Sequence, residues 1–255
     1  MGYVVGCEVR RWGHRSFLLA LIALSAGCGE PNSSKQAYSL KQPCGPIDQS
    51  ATFMAPIDNP STTTVLVDTL FSSKEIQEIQ EAIYSWNDFA RAKMDRPLFR
   101  LGQAAATQDT GPLSRSDCEK VDGKTGSFRI SKVTGAQKWT ELGLSEMNPG
   151  VTIRCYENDH LDRQIIFINS HLPAQFQSVV LHELGHAVGL DHSCEFGSTK
   201  PGIPDCTLFG AQHPYLQAVM FPRLSLGLGD PPKAEKKESL RQNDTERASC
   251  LYGSS

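Results

Sequence analysis

The sequence predicts one α+β domain, and three observations carry that prediction. Ile76, Ile79, Ile83, Trp86 and Phe89 recur at steps of three and four, the period of a helix laid on a sheet. Four short β-branched or apolar runs follow between residues 98 and 172, parted by Gly-, Asp- and Asn-rich connections. A second helical stretch then carries His182 and His186, which at a separation of four lie on one helix face, about 6 Å apart along its axis.

The chain opens with Arg10, Arg11 and Arg15 ahead of an apolar run over 17–24, which is too short to anchor in a bilayer and ends in Ser25-Ala26-Gly27-Cys28. Residues 1–27 are therefore expected to be an export signal, the arginine pair supplying its basic end. The junction is similar to a bacterial lipobox with Leu24 one residue early. Cys28 is thus the candidate for lipidation, an ordinary cleaved signal being the alternative. The protein is expected outside the cytoplasm, lipid-anchored in the cell envelope or secreted. Residues 28–60, rich in Gly, Pro, Asn, Ser and Gln, are expected to be a tether and extended lead-in, and 61–255 the folded domain.

Loss of the signal removes three arginines and Glu8, leaving 22 basic and 27 acidic residues, a formal charge of −5. No basic stripe points to nucleic acid, and no later run is long enough for a membrane helix, so a membrane is met only through Cys28. Setting aside Cys7 and Cys28, six of the eight cysteines remain, an even count that in an exported chain reads as a disulfide framework. The preferred pairs are Cys194–Cys206, which closes a local loop, then Cys118–Cys155 and Cys44–Cys250.

Within the domain, Thr62–Asp68 is β-branched and short, and is expected to be the first strand. Ser72 and Glu75 form a capping box ahead of a helix over 73–93, in which Trp86 is a core aromatic. The later strands are expected at Leu98–Leu101, Ser127–Val133, Val151–Tyr156 and Arg163–Asn169. Pro173 suits the start of the next helix, whose buried side is Val179, Val180 and Leu184. His160 and His171 carry no carboxylate–histidine spacing that would make a second metal site.

The second helix holds the chemistry. His182-Glu183-x-x-His186-x-x-Gly189-x-x-His192 sets two imidazoles on one face with Glu183 beside them. Gly189 lets the helix stop and the chain turn back in a left-handed conformation, which brings His192 round as a third ligand. A helix with two satisfied core histidines is the plain alternative, but it does not account for five positions in this order. The pattern resembles the zinc signature of the metzincin metalloproteases. Further on, Ala218-Val219-Met220-Phe221-Pro222 resembles that family's methionine turn, and Leu240, Asp244, Leu251, Tyr252 and Gly253 match the closing helix of its matrixin branch, with Asn243 for the usual Asp. Asn243 and Glu246 are expected to cap that helix and Gly253 to stop it.

The resemblance implies a twisted mixed sheet of five strands, with an active-site helix and a C-terminal helix. It also implies one catalytic zinc on His182, His186 and His192, Met220 as the floor beneath it, and Glu183 as general base for a zinc-activated water. The expected activity is that of a monomeric zinc endopeptidase acting on peptides or proteins. The alternatives are an exported binding module with a structural zinc and a zinc hydrolase of cell-wall peptide cross-links. The branch's second zinc and its calcium sites have no convincing loop around His160 and Asp162. Cys194–Gln217 lengthens the step from the third histidine to the methionine. Pro43-Cys44-Gly45 resembles the family's inhibitory cysteine switch, but cysteine parity favours a disulfide for Cys44.

Overall fold

The computed structural model describes residues 5–8, 57, 63–102, 127–157, 160–171, 175–222 and 237–252. The apolar run 17–24, Cys28, Cys44, Cys118, Pro173 and Gly253 lie outside the described residues.

Six strands form one mixed sheet: β1 (Val5–Glu8), β2 (Thr64–Val67), β3 (Arg100–Leu101), β4 (Ser127–Val133), β5 (Gly150–Glu157) and β6 (His160–Asn169). Their order is β1-β5-β6-β4-β2-β3. β2, β3, β4 and β6 run parallel, whereas β5 is antiparallel to β6 and parallel to β1. The sequence predicts five strands, and β2 to β6 are those five. The sixth, β1, comes from the segment read as the export signal and lines the outer edge of β5.

β3 is shorter than the predicted Leu98–Leu101 for a local reason. The Asn87 amide donates to Phe99 O and accepts from Phe99 N, both at 2.9 Å, so the backbone of Phe99 is bonded to a side chain of the first helix. Pairing with β2 begins only at Arg100.

Helix α1 (Ser73–Met94) starts at the predicted capping box: Ser72 N donates to Glu75 Oε2 at 2.7 Å, and Glu75 N donates to Ser72 Oγ at 3.3 Å. Its apolar stripe packs on α3 (Phe176–Ala187), and Trp86 Nε1 donates to Leu181 O at 3.1 Å. That buried bond fixes one helix along the other. α3 begins later than Pro173 suggests, because the first helical bond runs from Val179 N to Gln175 O.

The main core lies between these helices and one face of the sheet, through Val67, Ile130, Ile166 and Ile168. A smaller core on the other face gathers Val133, Val151, Ile165 and Phe167 around Trp139 of α2 (Ala136–Glu141). α4 (Pro214–Gln217) and α5 (Gln242–Tyr252) close the chain. The cap expected at Asn243 and Glu246 is displaced. Thr245 N bonds Arg241 O, so α5 starts at Gln242 and Asn243 is buried in its first turn, while Glu246 Oε1 accepts from Gln242 Nε2. Asp244 takes over, accepting from Arg241 N at 3.0 Å.

Candidate metal centre and active site

α3 is buried on nearly every side, so its polar residues have to be satisfied within the protein. His182 and His186 project from one face, and the helix ends at Ala187 with Val188 as its C-cap. Gly189 follows with φ +104°, a conformation that a side chain would strain, and the chain doubles back to His192. The three rings meet with centroids 4.8, 4.9 and 5.3 Å apart.

The ring nitrogens have distinct roles. His182 Nδ1 lies 2.7 Å from Val219 O and His186 Nδ1 lies 2.8 Å from Leu190 O. A carbonyl only accepts, so each Nδ1 carries the proton and each Nε2 keeps its lone pair. His192 Nε2 is buried without a hydrogen-bond partner. Burial, reinforced by the neighbouring imidazoles, pushes all three pKa values down to about 3, so the rings are neutral at neutral pH. One potential ligand atom from each of the three lies within 4.8 Å of the others. A buried cluster of bare imidazole lone pairs fits a divalent metal that favours nitrogen, and zinc suits it.

Glu183 is buried beside this cluster, and its Oε2 accepts from Thr152 Oγ1 of β5 at 2.7 Å. Burial pushes its carboxyl up to about 8, against the lowering effect of the Thr152 hydrogen bond. A cation held by the histidines would favour the carboxylate again.

The floor is built from three elements. Met220 is fully buried under α3, and a Cβ on Gly185 would overlap its sulfur, so glycine at this position gives the methionine its room. Asp244 of α5 accepts from Val219 N at 2.8 Å and Met220 N at 3.1 Å, fixing the turn whose Val219 carbonyl orients His182. Burial raises the Asp244 pKa, opposed by its three backbone hydrogen bonds and by Arg247. Arg247 Nη2 donates to Asp191 O at 2.9 Å and lies 3.4 Å from His192 O, and burial lowers this guanidinium to about 10. Lys237 donates to the carbonyls of Leu216 and Ala218 and lies 5.2 Å over the Phe221 ring.

The structure thus brings His182, Glu183, His186, Gly189, His192 and Met220 to one place. The sequence reading missed Thr152, Gly185, Lys237 and Arg247, and assigned Asp244 only a family match. Cys194 and Cys206 form a disulfide, stapling the loop after His192. Cys155 and Cys250 are disulfide-bonded as well, their expected partners Cys118 and Cys44 being outside the described residues. His171 is exposed, and His182, His186 and His192 are the single metal-competent cluster among the described residues.

No protein-family model and no curated protein matches the chain. Among solved structures it is similar to high choriolytic enzyme 1, a hatching enzyme zinc-protease from the medaka fish Oryzias latipes, at 14% identity and a TM-score of 0.36, covering 80% of this chain and 95% of that one. It is also similar to metalloproteinase-II from Bacteroides fragilis (11% identity, TM-score 0.39, 77% of this chain and 57% of that one). A third is myroilysin (11% identity, TM-score 0.32, 77% and 97%). Likenesses at these scores leave the site's own geometry to carry the function.

Proposed function

We propose that the protein is a zinc-dependent endopeptidase of metzincin type, exported by a signal over residues 1–27 whose removal takes β1 from the sheet and leaves β2 to β6, and held at the cell envelope through Cys28. One observation carries the activity: three buried imidazoles offer bare nitrogens to one point, beside a carboxylate that hydrogen-bonds elsewhere. Bound zinc would supply a Lewis acid that lowers the pKa of a water toward about 7 and polarises a carbonyl. His182, His186 and His192 would hold it, the first two oriented by the Val219 and Leu190 carbonyls. Glu183 takes the proton from the attacking water and returns it to the leaving amine. A closed structural site requires a fourth ligand, and the described residues gather three.

The test digests a mixed peptide library with wild type, with Glu183→Ala and with chelated wild type. Cleavage should fall about 100- to 10,000-fold in Glu183→Ala, while elemental analysis shows its zinc content retained. Equal cleavage by wild type and Glu183→Ala would remove Glu183 from the chemistry. No cleavage by zinc-loaded wild type would sink the endopeptidase reading and leave the cell-wall cross-links as substrates.

A further inference from the structure

Thr152 is out of character for its place in the sheet. The registers Val67↔Ile130, Ile130↔Ile166 and Thr152↔Ile166 put four residues in one row on the face that packs against the helices. Val67, Ile130 and Ile166 are buried and apolar, and Thr152 is equally buried. Valine would fill the same volume, so the hydroxyl has to be accounted for by what it bonds. It donates to Glu183 Oε2 at 2.7 Å, with the Glu183 carbonyl oxygen a second acceptor at 3.0 Å. Two residues earlier on the same strand face, Gly150 stands against the other carboxylate oxygen. A Cβ there would lie 2.8 Å from Glu183 Oε1 and 2.9 Å from its Cγ.

We propose that Thr152, with Gly150 beside it, is a positioning residue for Glu183: the hydroxyl holds Oε2 so that Oε1 is the oxygen presented for proton transfer. This rests on the endopeptidase reading. A carboxylate at the end of two methylenes has several rotamers, and a proton acceptor works only within hydrogen-bond reach of the proton it takes. Fixing one oxygen from the strand and clearing space for the other with a glycine narrows the orientations open to the carboxylate. Displacement by about 1 Å at a reacting group can cost on the order of 100-fold.

The test compares wild type, Thr152→Val and Thr152→Ser. Valine keeps the volume and removes the hydroxyl, whereas serine keeps the hydroxyl. Thr152→Val should lose about 10- to 100-fold in kcat, with KM changed less than about threefold and zinc content unchanged, and Thr152→Ser should stay within about threefold of wild type. Crystal structures of wild type and Thr152→Val, zinc-loaded, supply a readout independent of turnover: the Glu183 carboxylate should leave its position in the valine variant. Wild-type kcat in Thr152→Val, or equal losses in both variants, would overturn the proposal. So would a Glu183 carboxylate that stays in place without the hydroxyl. If wild type cuts no peptide, the endopeptidase reading fails by itself, and the two crystal structures still decide whether Thr152 positions Glu183.

Discussion

Gly185 and Gly189 lie four apart in one motif and serve different ends. Gly189 has a positive φ, which follows from the chain having to reverse between His186 and His192. Gly185 is helical, and its missing side chain makes room for Met220 from a turn 35 residues later. The first role was legible in the sequence because cause and effect are neighbours. The second was not, since nothing near Gly185 says what will pack on it. Thr152 was hidden in the same way: its partner Glu183 is 31 residues on, and only the register of β5 reveals the pairing. Gly185→Ala should therefore cost about 1–3 kcal/mol by overpacking, read as a lower urea midpoint. It should also move Met220, since the added methyl is opposed by the sulfur and by Trp86. Unchanged stability would mean that the floor yields freely and that Met220 does not set the height of α3.

Helix ends decide how the elements are tied together, and here the two long caps differed in legibility. The Ser72–Glu75 box of α1 is wholly local, so four consecutive residues of sequence contain all of it. α5 starts about two residues earlier than the local pattern predicts, because Asp244 bonds the Val219 and Met220 amides as well as Arg241 N, and a tertiary partner outweighs that pattern. Glu75 also accepts from Lys132 of β4, with Nζ–Oε distances of 2.8 Å, which fastens the start of α1 to the sheet. Burial pushes the Glu75 carboxyl up, but the hydrogen bonds from Lys132 and Ser72, with the Lys132 charge, outweigh it and hold the pKa below its ordinary value. A depressed carboxylate contributes stability above its unfolded pKa of about 4.3 and loses it as pH falls through the folded value. Glu75→Gln should accordingly lower stability by about 1 kcal/mol at pH 7. The gap to wild type should narrow as pH drops below about 4. Urea titrations of the metal-free proteins between pH 7 and pH 3.5 measure this, and a gap that does not change with pH would show the cost to be packing alone.

For the molecule as a whole, the α+β class and the element order followed from periodicity, whereas the sheet order could not, because strand neighbours are set by packing across the core. That core also determines how the protein should respond to losing the zinc proposed for it. Its main apolar cluster runs from Val65 through α1 and α3 to Ala248 of α5. The three histidines occupy one corner of it, and Trp86, Asp244 and Arg247 already join the elements around them. Small metal-folded domains unfold without their ion because they have no such core. Zinc bound at the proposed site would add its linkage energy to a structure that stands independently. At free zinc 100- to 1,000-fold above Kd that energy is about 3–4 kcal/mol, or about 5–15 °C in Tm for a domain of this size. Chelation should therefore lower Tm by that amount and leave the far-UV circular dichroism unchanged at 25 °C. His192→Ala, which removes one ligand without touching α3, should reproduce the lower Tm and abolish the response to added zinc. A random-coil spectrum on chelation would mean that the metal, and not the core around Trp86, holds α3 against the sheet.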